Sequence, residues 1–116
     1  MSYKTEIKCI RGQNIIFYIG KCAAGNFDII DLAEENDIWF HISNESSAHV
    51  IASIPENTDK KELKYIIKQG AILCKQHSRY KTSKQSTTIV FTKVKHVTKT
   101  TIPGTVIISE EKVVHI

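Results

Sequence analysis

The chain has 116 residues, of which 41% are hydrophobic and 24% charged, the balance of one globular domain with a single core and no room for a second. No apolar run approaches the ~20 residues that cross a bilayer and the first residues lack a signal-peptide stretch, so neither export nor a membrane partner is expected. The net charge of +4 is uneven: residues 1–59 carry four cations against nine acids, whereas residues 60–99 carry eleven cations against Glu62 alone.

Such a one-sided segment presents a positive field to a polyanion; the plain alternative is a solvated, lysine-rich surface. Cys9, Cys22 and Cys74 are odd in number and far apart. They match neither a zinc pair nor a disulfide framework, and reduced thiols in a cytoplasmic protein are the expectation.

In chain order, Ile15–Ile19 is β-branched and aromatic and stops at Gly20, which reads as a strand. Lys21–Gly25 reads as a turn. Asn26 is the expected cap of a short helix over Phe27–Glu35, with Asp28 and Asp31 in its first turn. Ile38–Ile42 and Ala48–Ile54 read as strands on either side of a loop, and Pro55 closes the second.

The best-defined element follows. Asp59 and Glu62 form a capping-box pattern, and Leu63, Ile66, Ile67, Gly70, Ala71 and Cys74 recur at helical spacing. A helix is predicted from Lys60 to about Ser78. At 100° per residue, Lys60, Lys61, Lys64, Lys68, Lys75 and Arg79 fall within one quadrant, a basic ridge beside the buried face. After a polar loop, Thr87–Lys93 reads as a strand. Pro103-Gly104 marks a turn, and Val106–Ile108 with Val113–Ile116 are expected to pair as a terminal hairpin. The fold class is therefore α+β: a mainly antiparallel sheet with one long amphipathic helix and a short helix, in one domain over residues 1–116.

Three constellations carry chemistry. Alternation in a strand sends Ile38, Phe40 and Ile42 to one face and Asp37, Trp39 and His41 to the other. With Ser47 and His49 from the next strand, the second face is either a polar platform for stacking an unpaired base or a second core layer built on Trp39. Arg79, Tyr80, Lys81 and Lys84 leave the basic helix together. With Lys64, Lys68 and Lys75 they are the expected phosphate contacts, Tyr80 being able to stack; a solvated loop is the alternative. Lys21 after Gly20 is a weaker phosphate candidate. A hydrolase using Ser47, the histidines and Asp37 lacks a nucleophile elbow. His41 and His49 have no further ligand at zinc spacing. No catalysis, metal or cofactor is expected.

The order of motifs resembles a known family. Ile19-Gly20-Lys21, Asn26-Phe27-Asp28, Asp37-Ile38-Trp39-Phe40-His41, Ser47-Ala48-His49-Val50, a long helix ending near Ser78, Thr88–Val97 and Pro103–Val106 are similar to the NFACT-R domain. The resemblance implies RNA binding. In multidomain members this domain belongs to ribosome quality-control factors that engage the large ribosomal subunit and tRNA and direct tailing of stalled chains. The Ser-Ala-His-Val form is closer to a eukaryotic coiled-coil subgroup, of which one branch is linked to DNA. The present sequence carries no glycosylase-like domain, helix-hairpin-helix or coiled coil, so a standalone module is expected and tailing is not carried over. The expected partner is tRNA or rRNA, with the ribosome as its setting. DNA, or a ribosomal or chromatin protein docked by an adaptor, is the alternative.

Overall fold

A computed structural model describes residues 2–116. Its main sheet has six antiparallel strands in the order β1-β2-β4-β3-β5-β8. These are β1 (Tyr3–Ile10), β2 (Gln13–Gly20), β3 (Ile38–Ile42), β4 (Val50–Ala52), β5 (Thr88–Lys93) and β8 (Lys112–His115). Two helices, α1 (Ala23–Leu32) and α2 (Lys60–Gln76), and a two-stranded ribbon of β6 (Val97–Lys99) and β7 (Val106–Ile108) complete it. The expected α+β class is what the chain adopts.

The sheet is buried on both faces. On one, α2 lays Ile66, Ala71, Leu73 and Cys74 against Phe17, Ile38, Phe40, Val50 and Ile89. On the other, α1 and the ribbon cover Trp39 and Ile51 with Ile29, Val97, Val106 and Ile108. The alternation in β3 reflects two cores, since Ile38, Phe40 and Ile42 enter the first and Trp39 the second. Helix α2 starts where the sequence places it: the Asp59 carboxylate accepts from the Glu62 N–H at 2.8 Å, satisfying a donor that the first turn leaves open.

Three local expectations are corrected. Strand β1 is an element that the sequence pattern does not announce. It is an edge strand that turns Lys4, Glu6 and Lys8 inward beside Ile10 and leaves Ile7 exposed, which inverts the usual pattern and is a device that discourages edge-to-edge pairing. Helix α1 begins three residues before Asn26, with the Cys22 sulfur accepting from the Gly25 N–H. Asn26 lies inside the helix, buried, and its Oδ1 accepts from the His49 N–H at 3.1 Å. The space for this contact exists because residue 20 is glycine; a Cβ there would stand 1.9 Å from Asn26 Oδ1.

The terminal hairpin does not form. Val106–Ile108 pairs with β6, and Lys112–His115 pairs with β5 at the sheet edge. The chain changes partner at Ser109–Glu110, where Glu110 takes a positive φ of 54°. The Thr92 hydroxyl donates to the Ser109 carbonyl at 2.8 Å and fixes the crossing.

Gly70 is where helix and sheet approach most closely, because a Cβ there would meet the Phe40 ring at 2.3 Å, and Phe40 is fully buried. Gly70→Ala is expected to cost roughly 1–3 kcal/mol by overpacking, more than the helix-propensity gain of about 1 kcal/mol. Urea unfolding measures it; an unchanged or raised midpoint would show that Phe40 can move aside.

Candidate nucleic-acid interface

The helical register of α2 sets the row of cations. Lys60, Lys61, Lys64 and Lys68 are all exposed, and among the described residues none of them lies within ion-pair distance of an acid. The row changes character beyond this point. Lys75 is half-buried, and its Nζ donates to the Gln85 carbonyl at 3.1 Å and the Ile116 carbonyl at 2.9 Å. It is a clamp between α2, the following loop and the end of the sheet, so its charge is already satisfied. Arg79 Nε stands 3.3 Å from Glu45. Tyr80 is half-buried at the rim of the first core, donates its hydroxyl to the same carboxylate and has the Arg79 guanidinium above its ring. Lys81 and Lys84 are exposed on the loop after the helix.

On the opposite face of the sheet an open cleft of about 970 Å³ lies beside the second core. Its walls come from Gly20–Ala23 at the start of α1, Trp39 and His41 of β3, the 43–48 loop with Ser47, His49, and the Pro103–Val106 turn. Lys21 is exposed at its lip. Gly104 carries a φ of +80°, a conformation glycine adopts freely, and a Cβ there would meet Ala23 at 2.9 Å.

Three members of the expected platform, Asp37, Trp39 and His49, do not face solvent. Asp37 is buried, with one carboxylate oxygen accepting from the Glu34 N–H and the other from the Ile54 N–H, each at 2.9 Å. It ties the ends of α1 and β4 to β3. Trp39 is only 2% exposed, and its indole Nε1–H donates to His49 Nδ1 at 3.1 Å. The sequence left open whether Trp39 is a platform or a second core layer; it packs in that layer. His41 is half-buried and stacks on Trp39 with ring centroids 5.5 Å apart and planes 5° apart. The ridge and the cleft are thus on opposite faces, meeting only at the C-terminal end of α2, where His77 enters the cleft wall.

The profile of the NFACT protein RNA binding domain matches residues 7–110, nearly the whole chain. The chain belongs to this family. It is a nucleic-acid-binding module of the NFACT-R type. Among solved structures it is similar to the C-terminal part of the fibronectin/fibrinogen-binding protein from Streptococcus suis, with a TM-score of 0.80 at 20% identity over 97% of this chain. At that identity the likeness shows the fold alone, and the chain spans only 45% of that solved one. A search of curated proteins gives no match.

In this NFACT-R domain the histidines of the cleft are held uncharged. Burial is the main cause lowering the pKa of His41, against the opposing pull of its bond to the Ile42 carbonyl. Since a carbonyl only accepts, that 2.7 Å contact places the proton on His41 Nδ1 and leaves Nε2 as an acceptor. His49, 1% exposed, is pushed down to about 3 by burial and then by His41, with the Gly104 backbone acting the other way. The indole can only donate, so His49 Nδ1 is an acceptor and its proton sits on Nε2.

The Ser47 hydroxyl accepts from the Ile42 N–H and donates to the Ala48 carbonyl. It is committed to the loop and, among the described residues, has no histidine partner. Among the described residues no three His, Cys, Asp or Glu side chains gather as a metal site. Sequence reasoning missed Glu45 as the partner of Arg79 and Asn26 as a tether of His49; nothing in either local pattern signals a contact 34 or 23 residues away.

Because the folded-state pKa of His49 lies below its ordinary 6.5, the unfolded chain binds its proton first as pH falls. Stability should be complete above pH 6.5 and decline towards pH 3, by about 1.4 kcal/mol per unit for this one group. His49→Asn retains an acceptor for Trp39 without the titration. Between pH 7 and pH 4.5 the variant is expected to lose about 2.5 kcal/mol less stability than the parent chain in urea unfolding. Parallel losses in the two proteins would remove His49 as the cause.

Proposed function

We propose that this NFACT-R domain binds structured RNA of the translation apparatus, tRNA or rRNA, in the setting of ribosome quality control in the cytoplasm, and that it acts by binding and not by catalysis. The reading is carried by the row of Lys60, Lys61, Lys64 and Lys68, four exposed cations on one helix with no acidic partner among the described residues. Lys60, Lys64 and Lys68 follow one another at about one helical turn, with Lys61 beside the first, and suit successive phosphates of a backbone. Lys81 and Lys84 prolong the positive surface, while Lys75 serves the fold.

The cleft supplies the second half of the reading. Its walls carry one lysine, Lys21, and one acid, Glu111, among neutral imidazoles, hydroxyls and two amides. That surface suits an uncharged, planar base better than a phosphate run. A base unstacked from a loop would extend the Trp39–His41 stack and meet the His41 Nε2 acceptor, as single-stranded RNA readers do with aromatic walls. Family membership supports RNA over DNA as the polymer.

The test is a salt titration of binding to a tRNA, with a DNA duplex of similar length alongside. Lys64→Gln with Lys68→Gln should lower the salt slope by roughly two phosphate equivalents and weaken binding to every sequence. Lys75→Gln should lower stability and leave the slope unchanged. Equal affinity for both polymers would point to DNA or to non-specific binding, and an unaltered slope in the double variant would reject the ridge. His41→Ala is expected to weaken binding to a single-stranded loop by about 1–3 kcal/mol and to leave duplex binding as it was; equal losses on both would remove the base from the cleft.

A further inference from the structure

Arg79 is the last cation of the ridge, and it holds an anion. Its Nε is 3.3 Å from Glu45 Oε1, and the Tyr80 hydroxyl donates to Glu45 Oε2. Two donors from adjacent residues thus take the two oxygens of one carboxylate. The guanidinium is braced over the Tyr80 ring, 5.2 Å from its centroid. Around the pair, His77, Ser78, Ser46 and Ser47 line a small open hollow of about 190 Å³.

The anion held there is a side chain from another part of the chain, on the loop after β3, where Asn44 takes a positive φ of 60°. The contact is accessible, with the Arg79 side chain 76% and the Glu45 side chain 33% exposed. A carboxylate and a phosphodiester each offer two acceptor oxygens on one negative charge, and arginine receives both in the same geometry. Exposed pairs of this kind are weak, so a polyphosphate already anchored on the lysine row can displace the carboxylate.

We infer that the Arg79–Tyr80 pair is a phosphodiester subsite, filled by Glu45 in the free domain and by a backbone phosphate of the bound RNA. The inference rests on the RNA-binding reading and adds a site to it. Its signature is a deficit. While Glu45 competes, Arg79 contributes little to affinity or salt slope, because an internal anion and not a solution ion neutralises it.

Binding of a tRNA is measured across a range of salt for the parent chain, Glu45→Gln, Arg79→Gln, the double variant, and Glu62→Gln, which removes a charge beside the lysine row without touching Arg79. Glu45→Gln should tighten binding by roughly 3–10-fold and steepen the slope by about 0.9, one phosphate contact. Arg79→Gln should abolish both gains in the Glu45→Gln background yet change the parent little. The inference fails if Glu45→Gln gains no more than Glu62→Gln, or if its gain survives in the double variant. Those results leave RNA binding standing. Absence of salt-dependent binding in every protein would overturn the RNA reading and the subsite together.

Discussion

The second face of the sheet depends on a buried relay of uncharged polar groups. The Trp39 indole donates to His49 Nδ1, the His49 N–H donates to Asn26 in α1, and the Gly20 N–H donates to the His49 carbonyl. A protein that buries an imidazole and an indole nitrogen must pair them, because an orphaned polar group there costs about 1–3 kcal/mol. Here the bonds to the side chain and backbone of one residue, His49, tie α1, β2 and β3 to the start of β4. The cleft opens beside these groups, between them and the loop after β3, with the half-buried His41 ring in its wall.

The first face works differently. Helix α2 buries apolar residues on one side and presents lysines on the adjoining side, so one element supplies both core and charge. The price of that economy is visible at Lys75, where the ridge position nearest the end of the sheet was taken over to close the fold, its ammonium bonded to two backbone carbonyls. Position on a helical wheel shows where a side chain starts. Whether its charge is free depends on what the rest of the chain brings to meet it.

Legibility followed the range of the interactions. Helix α2 could be read almost to the residue because its cap and its period are local, and the six residues of Asp37–Ile42 announced a strand with two different faces. The identity of the second face was open, since alternation cannot say whether a tryptophan meets solvent or another layer. Strand β1 was missed because its charges point inward, the reverse of the pattern that marks a strand. Asn26 reads as a cap because asparagine caps helices well; its actual partner, the His49 N–H, lies just before β4, 23 residues away. The failed hairpin is a matter of topology: two adjacent strands with a short connection usually pair, and the Thr92 bonds to the Ser109 and Glu110 carbonyls hold the crossing where these separate.

The uncharged character of the relay has a consequence for discrimination. Contacts made by lysines to phosphates fade as counterions accumulate, whereas stacking and hydrogen bonding against a neutral imidazole wall are far less sensitive to ionic strength. For an RNA held on both faces, total affinity would fall with added salt while the ratio between preferred and non-preferred ligands stayed the same, so weak ligands drop below binding first. The domain would then grip broadly in dilute buffer and choose more stringently in a crowded ionic medium.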